Sequence, residues 1–109
     1  MRLEQVLVNV IQNALEAVQN TQSPRIELHV SRERESLSVT IADNGPGVPE
    51  GIKSEIFTPF FSKKTDGLGI GLGIAKDIML EFGGSLHLVT SPLGGAAFKI
   101  RLRTYAEPE

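Results

Sequence analysis

Two periods divide the apolar residues of this chain. Leu3, Val6, Leu7, Val10, Ile11, Ala14, Leu15 and Val18 recur at helical spacing, which predicts an amphipathic helix over residues 1 to 20. After the polar loop Asn20-Thr21-Gln22-Ser23-Pro24 the period drops to two. Ile26, Leu28 and Val30 alternate with Arg25, Glu27 and His29, and Leu37, Val39 and Ile41 alternate with Ser38 and Thr40. Two half-buried strands flanking the mixed-charge run Arg32-Glu33-Arg34-Glu35 predict an antiparallel hairpin. Ile52 to Phe57 is expected as a short helix. Helical spacing returns at Ala75, Ile78, Met79 and Phe82, with Lys76, Asp77 and Glu81 on the wet side and Gly83-Gly84 as the stop. Residues 85 to 90 and 97 to 103 alternate as two more strands around the turn Ser91-Pro92-Leu93-Gly94-Gly95, and residues 105 to 109 are expected to fray.

Composition narrows the classes. A chain of 109 residues has room for one core, so residues 1 to 109 are expected to form one domain. With 40% hydrophobic and 22% charged residues it reads as globular rather than disordered. A net charge of −2 argues against a general nucleic-acid coat. No apolar run approaches the ~20 residues that span a bilayer, and the amphipathic start lacks a signal-peptide h-region. The absence of cysteine excludes disulfides and thiolate metal sites, and fits a reducing cytoplasm.

Four stretches carry candidate chemistry, each with a plainer alternative. In Gly67-Leu68-Gly69-Ile70-Gly71-Leu72-Gly73 glycine takes every second position before a helix. Backbone N–H groups there are uncrowded and unpaired, and with the positive end of the helix dipole they make a site for phosphate. The plainer reading is a glycine-rich loop before an ordinary helix. Asn9 and Asn13 lie one turn apart beside the apolar stripe. An amide oxygen is a neutral, hard ligand suited to Mg²⁺ that carries triphosphate oxygens. The alternative is a solvated helix face, which is how Glu4, Gln5, Gln12 and Glu16 read. The second strand runs into Asp43-Asn44-Gly45-Pro46-Gly47-Val48. An ionised Asp accepts from the exocyclic amine of adenine and repels the carbonyl of guanine; a simple turn is the alternative. Phe57, Phe60 and Phe61 crowd around Pro59 as a piece of core would, and the cationic run Ser62-Lys63-Lys64-Thr65-Asp66 after them has the composition of a lid.

Taken in this order, the Asn9–Asn13 helix, the Asp43-x-Gly45-x-Gly47 strand end, the phenylalanine cluster and the glycine-rich helix start resemble the ATP-binding domain of sensor histidine kinases. That family shares a superfamily with DNA gyrase, the heat-shock chaperone of the same fold and the mismatch-repair ATPases. The resemblance covers essentially the whole chain. The run Thr58-Pro59-Phe60-Phe61-Ser62-Lys63-Lys64 is most similar to nitrogen- and dicarboxylate-sensing kinases. The family implies an α/β fold, a two-layer sandwich of a mixed, largely antiparallel sheet with helices on one face and ATP between the layers. It implies Asn13 as the Mg²⁺ ligand, Asn9 as a polar group near the phosphates, Asp43 as acceptor of the adenine amine, and Gly45 and Gly47 as room for close approach. Gly67, Gly69 and Gly71, with Leu72 opening the helix, would line the phosphates, and Lys63 or Lys64 would reach the γ-phosphate. The implied activity is transfer of the γ-phosphate of Mg-ATP to a histidine on a separate helical dimerisation domain, with a response regulator downstream. Neither a nucleic-acid partner nor membrane insertion by this domain is implied, and the location is cytoplasmic even where the parent protein is anchored in a membrane.

Three positions depart from the family pattern. The ATPase members carry a glutamate base where this chain has Asn9, which favours transfer over hydrolysis. Many histidine kinases carry Lys or Arg where this chain has Glu16, so the phosphate charge must be met elsewhere, by Lys63 and Lys64. The last glycine box, Gly94-Gly95-Ala96-Ala97-Phe98, lacks the usual threonine. The chain also starts on the first-box helix, so it is expected to be an excised catalytic domain that lacks one edge of its sheet. An anti-sigma-type serine kinase and a nucleotide-binding scaffold without phosphotransfer remain the alternatives.

Overall fold

The computed structural model describes residues 2–57 and 71–103. In chain order the elements are α1 (Arg2–Ala17), β1 (Ile26–Glu33), β2 (Ser36–Asp43), a short 3-10 helix (Glu50–Glu55), α2 (Gly71–Glu81), β3 (Ser85–Thr90) and β4 (Ala96–Arg103). The strands form one sheet in the order β1-β2-β4-β3, and all three described pairings are antiparallel. The two-layer α/β arrangement is the expected one.

Register gives the sheet one apolar face. Leu28, Ile41, Phe98 and Leu88 line up across the four strands, and Val30, Val39, Ile100 and Leu86 form the next row. Against these rows α1 sets Val6, Val10 and Ala14, and α2 sets Leu72, Ala75, Ile78 and Met79, all buried in one cluster. The helix layer packs mainly on β2 and β3, and β1 reaches the core cluster through Ile26 at its start. Leu28 and Val30 are therefore 54% and 63% exposed although they belong to the apolar rows.

The apolar stripes predicted from periodicity are wider than the faces actually buried. On α1 the line Val6, Val10, Ala14, Val18 is buried, whereas Leu7 and Leu15 are exposed. On α2 the buried face begins at Leu72, and Phe82 lies exposed beyond the last turn. Gly83-Gly84 does end the helix: Gly84 N–H bonds the Met79 carbonyl, Gly83 N–H bonds that of Leu80, and Gly83 takes φ +74°. Lys76, expected on the wet side, is half-buried instead.

Candidate functional site

Asp43 is the one buried acid among the described residues, 1% exposed at the last position of β2. Its Oδ1 accepts from the Gly45 N–H at 2.9 Å and the Ala96 N–H at 3.1 Å. Its main-chain carbonyl accepts from Ser91 Oγ at 2.9 Å and the Gly95 N–H at 3.1 Å. Oδ2 is also buried and has no hydrogen-bond partner among the described residues. A buried acceptor left unpaired costs about 1–3 kcal/mol, so Oδ2 calls for a donor from water or a ligand. The turn after β2 is held independently, since the Asn44 side chain accepts from the Arg25 N–H and donates to the Ser23 carbonyl.

The glycines beside Asp43 have packing reasons of their own. A Cβ on Gly45 would run into the Ala17 carbonyl oxygen, and one on Gly95 would run into Asp43 itself. Gly47 sits at φ +80°, where a side chain is strained.

Asn9, Asn13 and Ala17 form one file along α1, spaced four residues apart and spanning about 12 Å. The Asn9 end meets α2, where its Nδ2 donates to the Gly71 carbonyl at 3.0 Å. The Ala17 end meets Gly45, next to Asp43. Asn13 stands between them, half-buried, with no hydrogen bond from its amide to any described residue. Gln5 Nε2 donates to Asn9 Oδ1 at 2.8 Å, which fixes the orientation of the Asn9 amide. Both ends of that amide are thus engaged with protein, and Asn9 braces the start of α2. Gln5 is exposed, as a solvated helix face predicts, and its i, i+4 spacing brings it to Asn9.

Leu72 belongs to the core at 8% exposure and stands in the first described turn of α2. Lys76 Nζ donates to the Leu86 carbonyl at 3.0 Å and lies 4.7 Å from the centre of the Phe57 ring. Phe57 in turn meets Phe98 edge-on, with centroids 6.1 Å apart at 83°. Lys76 thereby ties α2 to β3 and to the chain preceding residue 58, a tie that no local spacing in the sequence signals. Lys63, Lys64, Gly67 and Gly69, with the expected lid and with Phe60 and Phe61, lie outside the described residues.

Residues 1–106 match the family described as histidine kinase-, DNA gyrase B-, and HSP90-like ATPase. The C4-dicarboxylate transport sensor protein DctB of Rhizobium meliloti is 41% identical over 103 residues, 94% of this chain and 16% of that protein. Nitrogen regulation protein NtrY of Azorhizobium caulinodans is 34% identical over 110 residues, 96% of this chain and 14% of that protein. The chain thus spans only about a sixth or a seventh of the length of these two relatives. Among solved structures, the nucleotide-free catalytic domain of histidine kinase ThkA superposes with a TM-score of 0.83 at 33% identity, covering 94% of this chain and 66% of that one. Family match, relatives and fold agree with the order of motifs, and the chain belongs to the histidine kinase-, DNA gyrase B-, and HSP90-like ATPase family.

Proposed function

We propose that this chain is the Mg-ATP-binding catalytic domain of a two-component sensor kinase, donating the γ-phosphate to a histidine on a separate helical phosphoacceptor domain that passes it to a response regulator. The observation that carries the reading is Asp43 Oδ2, a buried acceptor without a partner at the end of a rigid strand. An adenine amine is a donor of the required kind, and the carbonyl of guanine is not. The residues fit the rest of the ligand. The file on α1 runs from the Asp43 turn to the start of α2, and a helix N-terminus favours phosphate through its dipole and its N–H groups. Asn13, with its uncommitted amide in the middle of that file, would hold the Mg²⁺. Bound there, the ion would neutralise charge on the phosphate oxygens.

The chain's own groups then have separable tasks. Asp43 orients the base, Asn9 holds the start of α2 in place, and the first turn of α2 receives the phosphates. No group at the Asn9 position can take a proton from water, because an amide is not a base, which favours transfer to a presented nucleophile over hydrolysis. The names of the relatives, a dicarboxylate sensor and a nitrogen regulator, support a sensor kinase over an anti-sigma serine kinase. Among the described residues no helix is long and apolar enough to cross a membrane; the site of action we propose is the cytoplasm, where ATP is.

Calorimetry tests the reading. Mg-ATP and Mg-ADP should bind and Mg-GTP should bind at least tenfold more weakly, since an unpaired buried polar group is worth about 1–3 kcal/mol. Asp43→Asn, which keeps the shape and replaces an acceptor with a donor, should lose a similar factor for ATP. Equal affinities for ATP and GTP would sink it.

A further inference from the structure

The face of the sheet turned away from the helices holds an uneven charge. Lys99, Arg101 and Arg103 of β4 stand in one file on it. Serine and threonine of β2 flank the file on one side, and Ser85 and His87 of β3 on the other. These three strands contain a single acid, Asp43, and it belongs to the helix side. None of the three cations has an ion-pair partner among the described residues. On the outer strand β1, Glu27 is already engaged by Arg25 at 2.8 Å and by His29 at 2.9 Å. The chain as a whole is net −2, so this cationic file runs against the overall charge. At the far end from Asp43 the file opens into a groove of about 640 Å³, with Arg101, Arg103 and Arg34 among its walls and the Gly83-Gly84 turn at one side. Glu33 and Glu35 enter the same groove from the hairpin.

We infer that this face docks a short acidic helix of a partner protein. The spacing supports that occupant. Cations two residues apart on a strand stand about 6.7 Å apart, and carboxylates one turn apart on a helix stand about 6 Å apart along its axis. Three cations span about 13 Å, the length of a short acidic stripe. A bilayer or a nucleic-acid duplex presents a far broader anionic surface and would press the chain's acidic remainder against like charge. Docking here leaves the nucleotide face open, because Asn13 and Asp43 lie on the other side of the sheet. The inference does not depend on the proposed phosphotransfer.

Fluorescence anisotropy with a labelled helical peptide carrying glutamates at i, i+4 and i+8 tests it on the full chain. Binding should weaken as salt rises, and should be unaffected by saturating Mg-ADP. Lys99→Gln/Arg101→Gln/Arg103→Gln should bind about tenfold more weakly. The charge-matched Arg25→Gln/Arg32→Gln/Lys53→Gln should lose about twofold at most, since none of the three stands in the β4 file, although their removal also frees Glu27 and Glu50. Thermal melts and Mg-ADP affinity confirm folding of both variants, and the milder Arg101→Gln/Arg103→Gln, at two exposed positions, replaces the first if it fails to fold. No peptide binding at low salt would overturn the inference. So would equal losses in the two variants, or tighter binding of phosphatidylserine vesicles or duplex RNA than of the peptide.

Discussion

Asp43 commits one carboxylate oxygen to the fold and leaves the other for the base in the proposed reading. Oδ1 joins the turn after β2 to the start of β4, and Oδ2 is left over. The two halves separate experimentally in nucleotide-free protein. Asp43→Asn keeps an acceptor at Oδ1 and exchanges the unpaired acceptor for a donor, so urea denaturation should place it within about 0.5 kcal/mol of the parent. Asp43→Ala strands the Gly45 and Ala96 N–H groups and should lose about 2–3 kcal/mol. An Asn variant as unstable as the Ala variant would mean that Oδ2 supports the fold as well. At Gly45 the demand is steric, because the Ala17 carbonyl occupies the space of a Cβ. Gly45→Ala should therefore lose about 1–3 kcal/mol of stability with no nucleotide present, as read from the same urea curves. The sequence marked both residues as candidates, but supplied only a ligand-side reason for the glycine; its contact is with a carbonyl 28 positions away, which no local pattern records.

At the scale of elements, periodicity located every helix and strand among the described residues and overstated how much of each is covered. Leu7, Leu15, Leu28 and Val30 obey the spacing and remain exposed, because spacing says which side chains share a face and not what lies opposite. Lys76 errs in the other direction. A charged residue between apolar ones reads as solvated, yet its long stem lets the ammonium reach the Leu86 carbonyl and the Phe57 ring. The α1–α2 junction depends on Asn9 in the same way. In Asn9→Asp the donor to the Gly71 carbonyl becomes an acceptor facing an acceptor. Hydrogen exchange of the first turn of α2 should rise several-fold in the absence of nucleotide, by an opening free energy lowered by about 1 kcal/mol. Unchanged exchange in the apo protein, with lost activity, would return Asn9 to a role on the nucleotide alone.

For the molecule as a whole, the two faces of the sheet keep both histidines away from the proposed phosphate site. His29 and His87 are exposed on the face opposite α1 and α2, held in β1 and β3. In-line attack requires the nucleophile within about 3–3.5 Å of its target and aligned with it, which a strand residue on the wrong face cannot reach. Incubated alone with Mg-ATP, the chain should yield no acid-labile phosphohistidine by mass spectrometry, whereas added helical phosphoacceptor should be labelled. The sheet order has a further consequence for how the chain reaches its final form. The β1–β2 and β3–β4 pairs join neighbours in sequence and can close early, but β2 meets β4 only across the whole middle of the chain. Long-range pairing of this kind is the slow step in small mixed folds. The Ala96–Asp43 bond, 53 residues apart, forms with that ladder and not before it. On the proposed reading the adenine site would be completed only with that ladder, so nucleotide should slow the unfolding rate while leaving the refolding rate nearly unchanged.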